Sequence, residues 1–203
     1  MNKAITLVIA LILIVGAVVV ISNPFGESGP SPFEIASSGA SQDGSGAHSA
    51  GNEVSRPGVG DEAPDFELLD FEDNTVRLSD FRGKPVFIDF WTRWCPFCRE
   101  EMPEIDEVAR ELEGELVVLG IHRTNTESLE VGRSFARDEL GVSYPLLQDT
   151  TDEVYQKFSF ANLMPFALYI DEEGIIRSVK AGPKTADEIR EEVNLITARN
   201  EEE

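Results

Sequence analysis

Residues 86–99 read VFIDFWTRWCPFCR, and this stretch decides the fold. An apolar run of strand length, 86–91, leads into a Cys-x-x-Cys motif that opens a helical pattern. A nearly unbroken apolar run of this kind, interrupted only by Asp89, is typical of a central strand that is covered on both faces. Cys95 and Cys98 are the only two cysteines of the chain. Because two thiols so placed can form and open one disulfide reversibly, the motif predicts redox chemistry.

Outside this stretch the chain alternates the periodicities of strands and helices from residue 58 onward. Strands are predicted at 65–69, 75–78, 86–91, 116–121, 144–147, 166–170 and 175–179. Helices are predicted at 96–112, 128–140, 152–158 and 185–198. The alternation ends in a hairpin and a last helix, so we expect an α/β fold with a mixed central sheet flanked by helices.

The N-terminal part has a different composition from the rest of the chain. Residues 4–21 carry no charged side chain and are long enough to cross a bilayer core of about 30 Å as a helix. We therefore predict a transmembrane anchor over 4–21, a flexible linker rich in Ser, Gly, Ala and Pro over 22–57, and a folded domain over 58–200. A cleaved signal peptide is the competing interpretation, but no Ala-x-Ala site follows the run.

The flanking charges of the predicted anchor indicate its orientation. Lys3 precedes the span, and the first charged residues after it are acidic. This asymmetry favours a cytoplasmic N-terminus and a folded domain on the extracytoplasmic side of the cell membrane. We therefore expect a single-pass protein whose cysteines lie in an oxidising setting, where disulfides persist.

The chain is strongly acidic, since 38 Asp and Glu against 17 Lys and Arg give its 203 residues a formal net charge of −21. Such a surface repels nucleic acid and anionic lipid headgroups, so neither is expected as a partner. Two interpretations of the charge stay open: a solubilising surface, and an adaptation to high salt, which screens self-repulsion. The 12 Arg against 5 Lys agree with the second without deciding between them.

The two cysteines are expected to have different roles. Cys95 precedes the helix that begins around Pro96, where free backbone N–H groups stabilise a thiolate, so it is the predicted attacking group. Cys98 lies one turn further along the same face and is the predicted resolving thiol. A static structural disulfide would close too small a loop to add much stability. A Cys₄ zinc site is excluded within one chain, and His48 and His122 are distant in sequence, so no metal is predicted.

Three segments carry a resemblance to a known family. They are 60–66 together with 76–84, then 90–98, and then 164–166. With them, residues 58–198 resemble the thioredoxin fold, and within it the TlpA/ResA-like branch of membrane-anchored, extracytoplasmic thiol–disulfide oxidoreductases. The first segment resembles the N-terminal strand extension that this branch shares with peroxiredoxins of the AhpC/TSA-related redoxins. The resemblance implies no cofactor beyond the two thiols.

The resemblance assigns supporting roles to Asp89 and Pro165. Asp89 lies within an apolar strand, so burial is expected to raise its pKa and allow it to take a proton from Cys98. Thioredoxins carry a buried Asp at this place, whereas many TlpA/ResA-like proteins have Asn. Pro165 matches the family's cis-proline, whose preceding residue, here Met164, offers backbone hydrogen bonds to a bound substrate peptide. Met164 is larger than the residue that often precedes this proline in the branch.

Other residues beside the motif are expected to contact substrate or to tune the thiols. Trp94 is expected to form an apolar wall of the site, and Pro96 and Phe97 between the cysteines complete the predicted substrate-binding set with Met164. Arg93 and Arg99 bracket the cysteines in an otherwise acidic chain. They either lower the pKa of Cys95 or are simply solvated, and both interpretations stay open.

The predicted function is thiol–disulfide exchange with protein substrates. The resemblance implies reduction of substrate disulfides, for example those of apocytochrome or metal-site cysteines, with electrons from a membrane partner. The direction of electron flow is not fixed by the motif, so a disulfide-forming oxidase is the main alternative. A thiol peroxidase is disfavoured because Ile88 stands where its Pro-x-x-x-Thr-x-x-Cys pattern needs proline. A copper chaperone is disfavoured because its relatives use a Cys-x-x-x-Cys spacing.

Overall fold

The structure, a computed structural model, describes residues 56–159 and 161–198. The predicted anchor at 4–21 and the predicted linker, apart from its last two residues, lie outside the described residues. Within the described part of the chain, no helix has both the length and the apolar character needed to cross a membrane.

In the part of the chain that the structure describes, seven strands form one sheet and four α-helices pack against it. The strands are β1 (Glu67–Asp70), β2 (Thr75–Arg77), β3 (Val86–Trp91), β4 (Val117–His122), β5 (Leu146–Gln148), β6 (Phe166–Ile170) and β7 (Ile176–Ala181). The α-helices are α1 (Pro96–Glu111), α2 (Leu129–Arg133), α3 (Glu153–Phe158) and α4 (Ala186–Ala198). A 3₁₀ turn at Leu78–Phe81 follows β2, and a π-helical stretch at Ser134–Glu139 continues α2.

The sheet has the strand order β2-β1-β5-β4-β3-β6-β7. β4 runs parallel to both of its neighbours, β3 and β5, whereas all other neighbouring pairs are antiparallel. The predicted mixed sheet is therefore confirmed. All six residues of β3 are buried, as expected for a central strand.

β3 separates two hydrophobic clusters because its side chains alternate between the two faces of the sheet. Val86, Ile88 and Phe90 face a cluster that includes α3. Phe87 and Trp91 face a cluster built from α1, α4 and the π-helical stretch, and this second cluster contains both cysteines. Asp89 lies on β3 between Phe87 and Trp91, so the same alternation directs it towards the cysteines.

Most predicted elements lie within a few residues of their observed bounds, with one clear difference. The helix predicted over 128–140 begins as α2 and then widens into the π-helical stretch, in which the Leu140 N–H donates to the Phe135 carbonyl. The hairpin of β6 and β7 turns at Gly174, whose φ of +87° favours glycine. A Cβ there would also lie 2.2 Å from the Arg82 guanidinium.

Candidate active site

Both cysteines lie at the junction between β3 and α1. Cys95 is the N-cap residue of α1, and Pro96 occupies the first helical position, where a missing N–H leaves no hydrogen bond unmade. The Cys98 backbone N–H donates to Cys95 Sγ over 3.2 Å. Both residues are free thiols and are buried. The two sulfurs are thus held on one face of the first turn of α1.

The two thiols have opposite acidities. Hydrogen bonds from the thiol and the backbone N–H of Cys98 lower the pKa of Cys95 to about 7, in spite of the opposing effect of burial. The pKa of Cys98 is raised, first because its proton is held in the hydrogen bond to Cys95, and then because burial and the Asp89 carboxylate oppose a second negative charge. At neutral pH, Cys95 is therefore partly a thiolate while Cys98 keeps its proton.

Asp89 belongs to a buried charge cluster that we define as Asp89, Glu101 and Lys184. The side chains of all three are 5% exposed or less. Lys184 Nζ lies 3.0 Å from Glu101 Oε2 and 3.7 Å from Asp89 Oδ1. The Lys184 backbone N–H also donates to Glu101 Oε2 over 3.1 Å. The structure therefore surrounds the predicted proton acceptor with a second carboxyl and an ammonium group.

The buried charge cluster holds more negative than positive groups, and this sets its protonation. Burial raises the pKa of Asp89 to about 6, against the stabilising charge of Lys184. Burial and the Asp89 charge raise the pKa of Glu101 to about 9. At neutral pH, Asp89 is then a carboxylate that can accept a proton, while Glu101 keeps its own.

Glu101 and Lys184 were not among the residues that the sequence singled out. Glu101 lies three residues after Cys98, a spacing that puts both on one face of α1, so this residue had a local signal. Lys184 lies in the loop between β7 and α4, 83 positions from Glu101, and has no local signal. Only the packing of α4 against α1 brings the ammonium group to the carboxyls.

The predicted cis bond between Met164 and Pro165 is confirmed. Pro165 directly precedes β6, and its carbonyl accepts a hydrogen bond from the Gly182 N–H over 3.0 Å. Met164 is partly buried and packs against the cluster that contains Cys95 and Cys98. The residue before the cis-proline therefore packs against the cluster to which both thiols belong.

Side chains from two other elements hold the loop that precedes Pro165. The Tyr155 hydroxyl lies 2.9 Å from the Ala161 carbonyl and 2.6 Å from the Leu163 carbonyl. Arg123 Nη1 donates to Asn162 Oδ1 over 2.8 Å. The guanidinium of Arg123 also lies 3.8 Å from the centroid of the Tyr155 ring. Tyr155 and Arg123 therefore act together to fix the shape of the loop.

Large apolar side chains are exposed around the thiols. Trp94 is 53% exposed, Phe97 49% and Leu163 47%, and the partly buried Met164 is next to Leu163. We call these four residues the apolar rim. Pro96 is also exposed. The Trp94 indole N–H donates to Thr126 Oγ1 over 3.2 Å, which holds the ring while its face stays open to solvent.

Each arginine beside the motif contacts a glutamate. Arg99 pairs with Glu139 at 3.1 Å, and its guanidinium lies 4.6 Å from the centroid of the Phe135 ring. Arg93 contributes its backbone N–H, which lies 2.5 Å from Glu127 Oε1. The lowered pKa of Cys95 therefore follows chiefly from Cys98, as described above.

Glu127 is a further residue that the sequence did not single out. Its Oε1 contacts both the Arg93 N–H and His122 Nε2, the latter at 2.8 Å. His122 is fully buried and stacks on Trp91 with ring centroids 4.4 Å apart. Glu127 therefore connects the turn before Cys95 to the end of β4.

Among residues 56–159 and 161–198, no group of three or more His, Cys, Asp or Glu could hold a metal ion.

Comparisons with known proteins agree with this site. The AhpC/TSA family model matches residues 59–179. The thioredoxin-like protein YneN of Bacillus subtilis is 32% identical over 139 residues, which cover 67% of this chain and 79% of that protein. The thiol–disulfide oxidoreductase ResA of Geobacillus thermodenitrificans is 33% identical over 138 residues, covering 68% and 78%.

A solved structure extends the comparison to three dimensions. The exposed lipoprotein thioredoxin of Streptococcus pneumoniae superimposes with a TM-score of 0.58 at 29% identity, covering 64% of this chain and 98% of that one. The fold and the paired thiols define the class of thioredoxin-like thiol–disulfide oxidoreductases. The chain belongs to the AhpC/TSA family, in its TlpA/ResA-like branch.

Proposed function

We propose that this chain is an extracytoplasmic reductase of protein disulfides that cycles Cys95 and Cys98 between dithiol and disulfide. The observation that carries the proposal is the asymmetry of the two thiols. The Cys98 thiol and N–H lower the pKa of Cys95 to about 7, while the pKa of Cys98 itself is raised. Cys95 is thus the attacking thiolate, and Cys98 keeps its proton until the resolving step.

The first step is attack on the substrate. The Cys95 thiolate attacks one sulfur of a substrate disulfide, so that a Cys95–substrate bond forms while the substrate's S–S bond breaks. The leaving substrate sulfur departs as a thiolate and takes a proton from solvent. Because a thiol with a pKa near the ambient pH combines thiolate population with nucleophilicity, a value of about 7 suits this step.

The second step releases the substrate. Cys98 gives its proton to the Asp89 carboxylate and attacks Cys95 Sγ, so the Cys95–Cys98 disulfide forms and the mixed disulfide breaks. The substrate has gained two electrons, and the enzyme dithiol has lost them. Asp89 fits the role of acceptor because it is ionised at neutral pH and its charge acts on Cys98.

Substrate recognition is assigned to the apolar rim and the cis-proline loop. Trp94, Phe97 and Leu163 offer exposed apolar area, and Leu163 directly precedes the partly buried Met164 of the cis-proline loop. Exposed aromatic and apolar side chains of this kind favour binding of an apolar segment. We therefore propose that the substrate presents its disulfide on an extended segment with apolar side chains, which lies against the backbone of Met164 and Pro165.

The acidity of Cys95 supports reduction as the direction. Strong oxidants of the thioredoxin class have an attacking thiol with a pKa of about 3.5, whereas reducing thioredoxins have a value of about 7. The pKa of about 7 for Cys95 matches the second group. A strongly stabilised thiolate, which makes the disulfide form oxidising, is therefore not expected here.

The location is proposed from the N-terminal sequence. Residues 4–21 have the length and the apolar character of a transmembrane anchor, and the charges on either side favour an outer position of the domain. A domain in that position has no access to cytoplasmic reductants, so we propose that a membrane partner returns electrons to the Cys95–Cys98 disulfide.

Two measurements test the function. We expect the reduced protein to accelerate reduction of insulin disulfides by dithiothreitol, and the variant Cys95→Ser to lose this activity. We also expect equilibration with glutathione to give a reduction potential of about −270 mV, the value of a reductase, while about −120 mV would indicate an oxidase. Reduction of insulin disulfides that persists in Cys95→Ser would contradict the proposed role of Cys95 as the attacking thiol.

A further inference from the structure

Lys184 is the one cation of the buried charge cluster. Its Nζ lies 3.0 Å from Glu101 Oε2, 3.7 Å from Asp89 Oδ1 and 2.9 Å from the Gly182 carbonyl. The loop that carries it is fixed at the start of α4, where the Thr185 N–H donates to Glu188 Oε2 over 2.8 Å. The ammonium group is therefore held in place from both ends of the loop.

A count of charges shows what Lys184 does. Burial of a net charge is costly, so a buried cluster adjusts its protons towards neutrality. With Lys184 present, two carboxyls and one ammonium group are neutral when a single proton is bound, which leaves one carboxylate. Without the ammonium group, neutrality needs two protons, and no carboxylate is left to accept one from Cys98.

Among the groups that face Asp89 and Glu101, Lys184 supplies the positive charge that balances a carboxylate. The other titratable groups that face the cluster are Cys95, Cys98, Tyr144 and Tyr169. Burial raises the pKa of both tyrosines, so they are neutral at pH 7. A cavity of about 320 Å³ reaches Lys184 from the side of β7 and α4, and its other charged lining residues are Lys180, Glu188, Glu191 and Glu192.

The cavity that reaches Lys184 is distinct from the apolar rim. None of the four rim residues lines it. Lys180 pairs with Glu192, so that second lysine is engaged away from Asp89 and Glu101. Of the three residues of the buried charge cluster, only Lys184 lines this cavity.

We propose that Lys184 is a positioning residue for the resolving step, because its ammonium group keeps Asp89 in the carboxylate form that takes the proton of Cys98. This inference rests on the proposed function. The proton moves from Cys98 Sγ to an Asp89 oxygen, the Cys98 sulfur forms the bond to Cys95 Sγ, and the released thiolate carries away the electron pair of the broken bond. Asp89 then loses this proton before the next cycle.

A chromogenic disulfide separates the two steps. When the reduced protein reacts with an equimolar amount of 5,5′-dithiobis(2-nitrobenzoate), attack by Cys95 releases the first thionitrobenzoate and resolution by Cys98 releases the second. In Lys184→Met, we expect the second phase to slow about tenfold at pH 7, because loss of the ammonium group raises the pKa of Asp89 and leaves most of it protonated. The slowed phase should recover as the pH is raised.

The first phase provides an internal control. The cluster is neutral with or without Lys184, so the field that it exerts on Cys95 changes little, and the first phase should stay within about threefold of the wild type. Lys180→Met is the matched control, because it removes a lysine from the same cavity without touching either carboxyl. Its second phase should match the wild type, and Lys184→Arg, which keeps the charge, should restore most of the rate.

The outcomes separate the two proposals. If the wild type releases no thionitrobenzoate, or if Cys95→Ser releases as much, the proposed function is wrong. If the wild type shows both phases and folded Lys184→Met shows the same second phase and pH profile, the role of Lys184 is wrong. Equal slowing in Lys180→Met would also contradict it, since the effect would then follow from the general surface charge.

Discussion

The two sides of the dithiol differ in almost every physical property. On the outer side, the apolar rim exposes Trp94, Phe97 and Leu163 to solvent. On the inner side, the buried charge cluster places two carboxyls and one ammonium group out of contact with water. Apolar groups are usually inside a protein and charges outside, so both regions depart from the ordinary pattern. Exposed apolar side chains suit substrate docking, so we assign docking to the apolar rim. Buried charges suit proton transfer, so we assign proton transfer to the buried charge cluster.

The largest expected effect comes from removing the thiols that join the two regions. Cys95→Ser should lose disulfide reduction completely, because the remaining cysteine, Cys98, is buried and keeps its proton. Cys98→Ser should still attack but should accumulate a mixed disulfide, since nothing resolves it. Mass spectrometry of each variant after reaction with a model disulfide measures both outcomes. A stable adduct on Cys98 in the Cys95→Ser variant would reverse the assigned roles.

The inner region is tested next by Asp89→Asn. Loss of a general base typically slows a step about 100-fold, so the second thionitrobenzoate phase should slow by about that factor while the first changes little. Asp106→Asn is a matched control, because Asp106 is a buried carboxyl on α1 that accepts hydrogen bonds from Ser143 rather than facing the thiols. Equal slowing of both phases in Asp89→Asn would mean a general structural effect.

The protonation of the inner region also predicts how stability depends on pH. The pKa of Glu101 is about 9 in the folded protein against an ordinary value of 4.5, so the folded state binds more protons than the unfolded state between these values. The contribution of Glu101 to stability is therefore present at low pH and is lost as the pH rises towards about 9. Glu101→Gln should flatten this decline by an amount on the order of 2 kcal/mol between about pH 5 and pH 8.

Chemical denaturation of the reduced proteins at a series of pH values measures this difference. Glu100→Gln is the control, since Glu100 is exposed and next to Glu101 in sequence. Both variants replace a glutamate of α1 with glutamine, so they remove the same titratable group from the unfolded chain and differ only in where that group lies in the folded protein. The same pH dependence in wild type, Glu101→Gln and Glu100→Gln would show that Glu101 titrates normally in the folded protein.

The smallest effect is expected in the outer region. Phe97→Ala should raise the KM for a protein substrate such as insulin about fivefold, the loss that corresponds to about 1 kcal/mol of buried apolar contact. Its thionitrobenzoate phases should stay unchanged, because the small probe does not span the rim. Leu195→Ala is the control, since Leu195 is 50% exposed on α4 and is not a rim residue. An equal change in both variants would remove the rim from substrate recognition.

The sequence predicted the two regions to very different degrees. Cys95 and Cys98 follow from local patterns, because a helix start and a two-residue spacing are properties of short segments, whereas the cis bond at Pro165 was implied by the family resemblance. Glu101 had the same kind of signal at three residues from Cys98, although it was not singled out. The central position of β3 also followed from one apolar run.

The remaining parts depend on tertiary contacts that no short segment records. Lys184 reaches the carboxyls only because α4 packs beside α1, and Glu127 reaches the turn before Cys95 only because β4 is parallel to β3. Arg99 was placed beside the thiols by its position in the chain, but its charge is directed to Glu139. Pairing of charges over long sequence distances is therefore what the sequence did not predict.

The central claim is that one thiol attacks and the other waits, and titration of the thiolate absorbance in the far ultraviolet tests it most directly. For the reduced wild type, we predict a first thiol that ionises with an apparent pKa near 7, assigned to Cys95 by its loss in Cys95→Ser, and a second thiol that ionises only at much higher pH. Two thiols that titrate together near the ordinary value of about 8.5 would contradict the account.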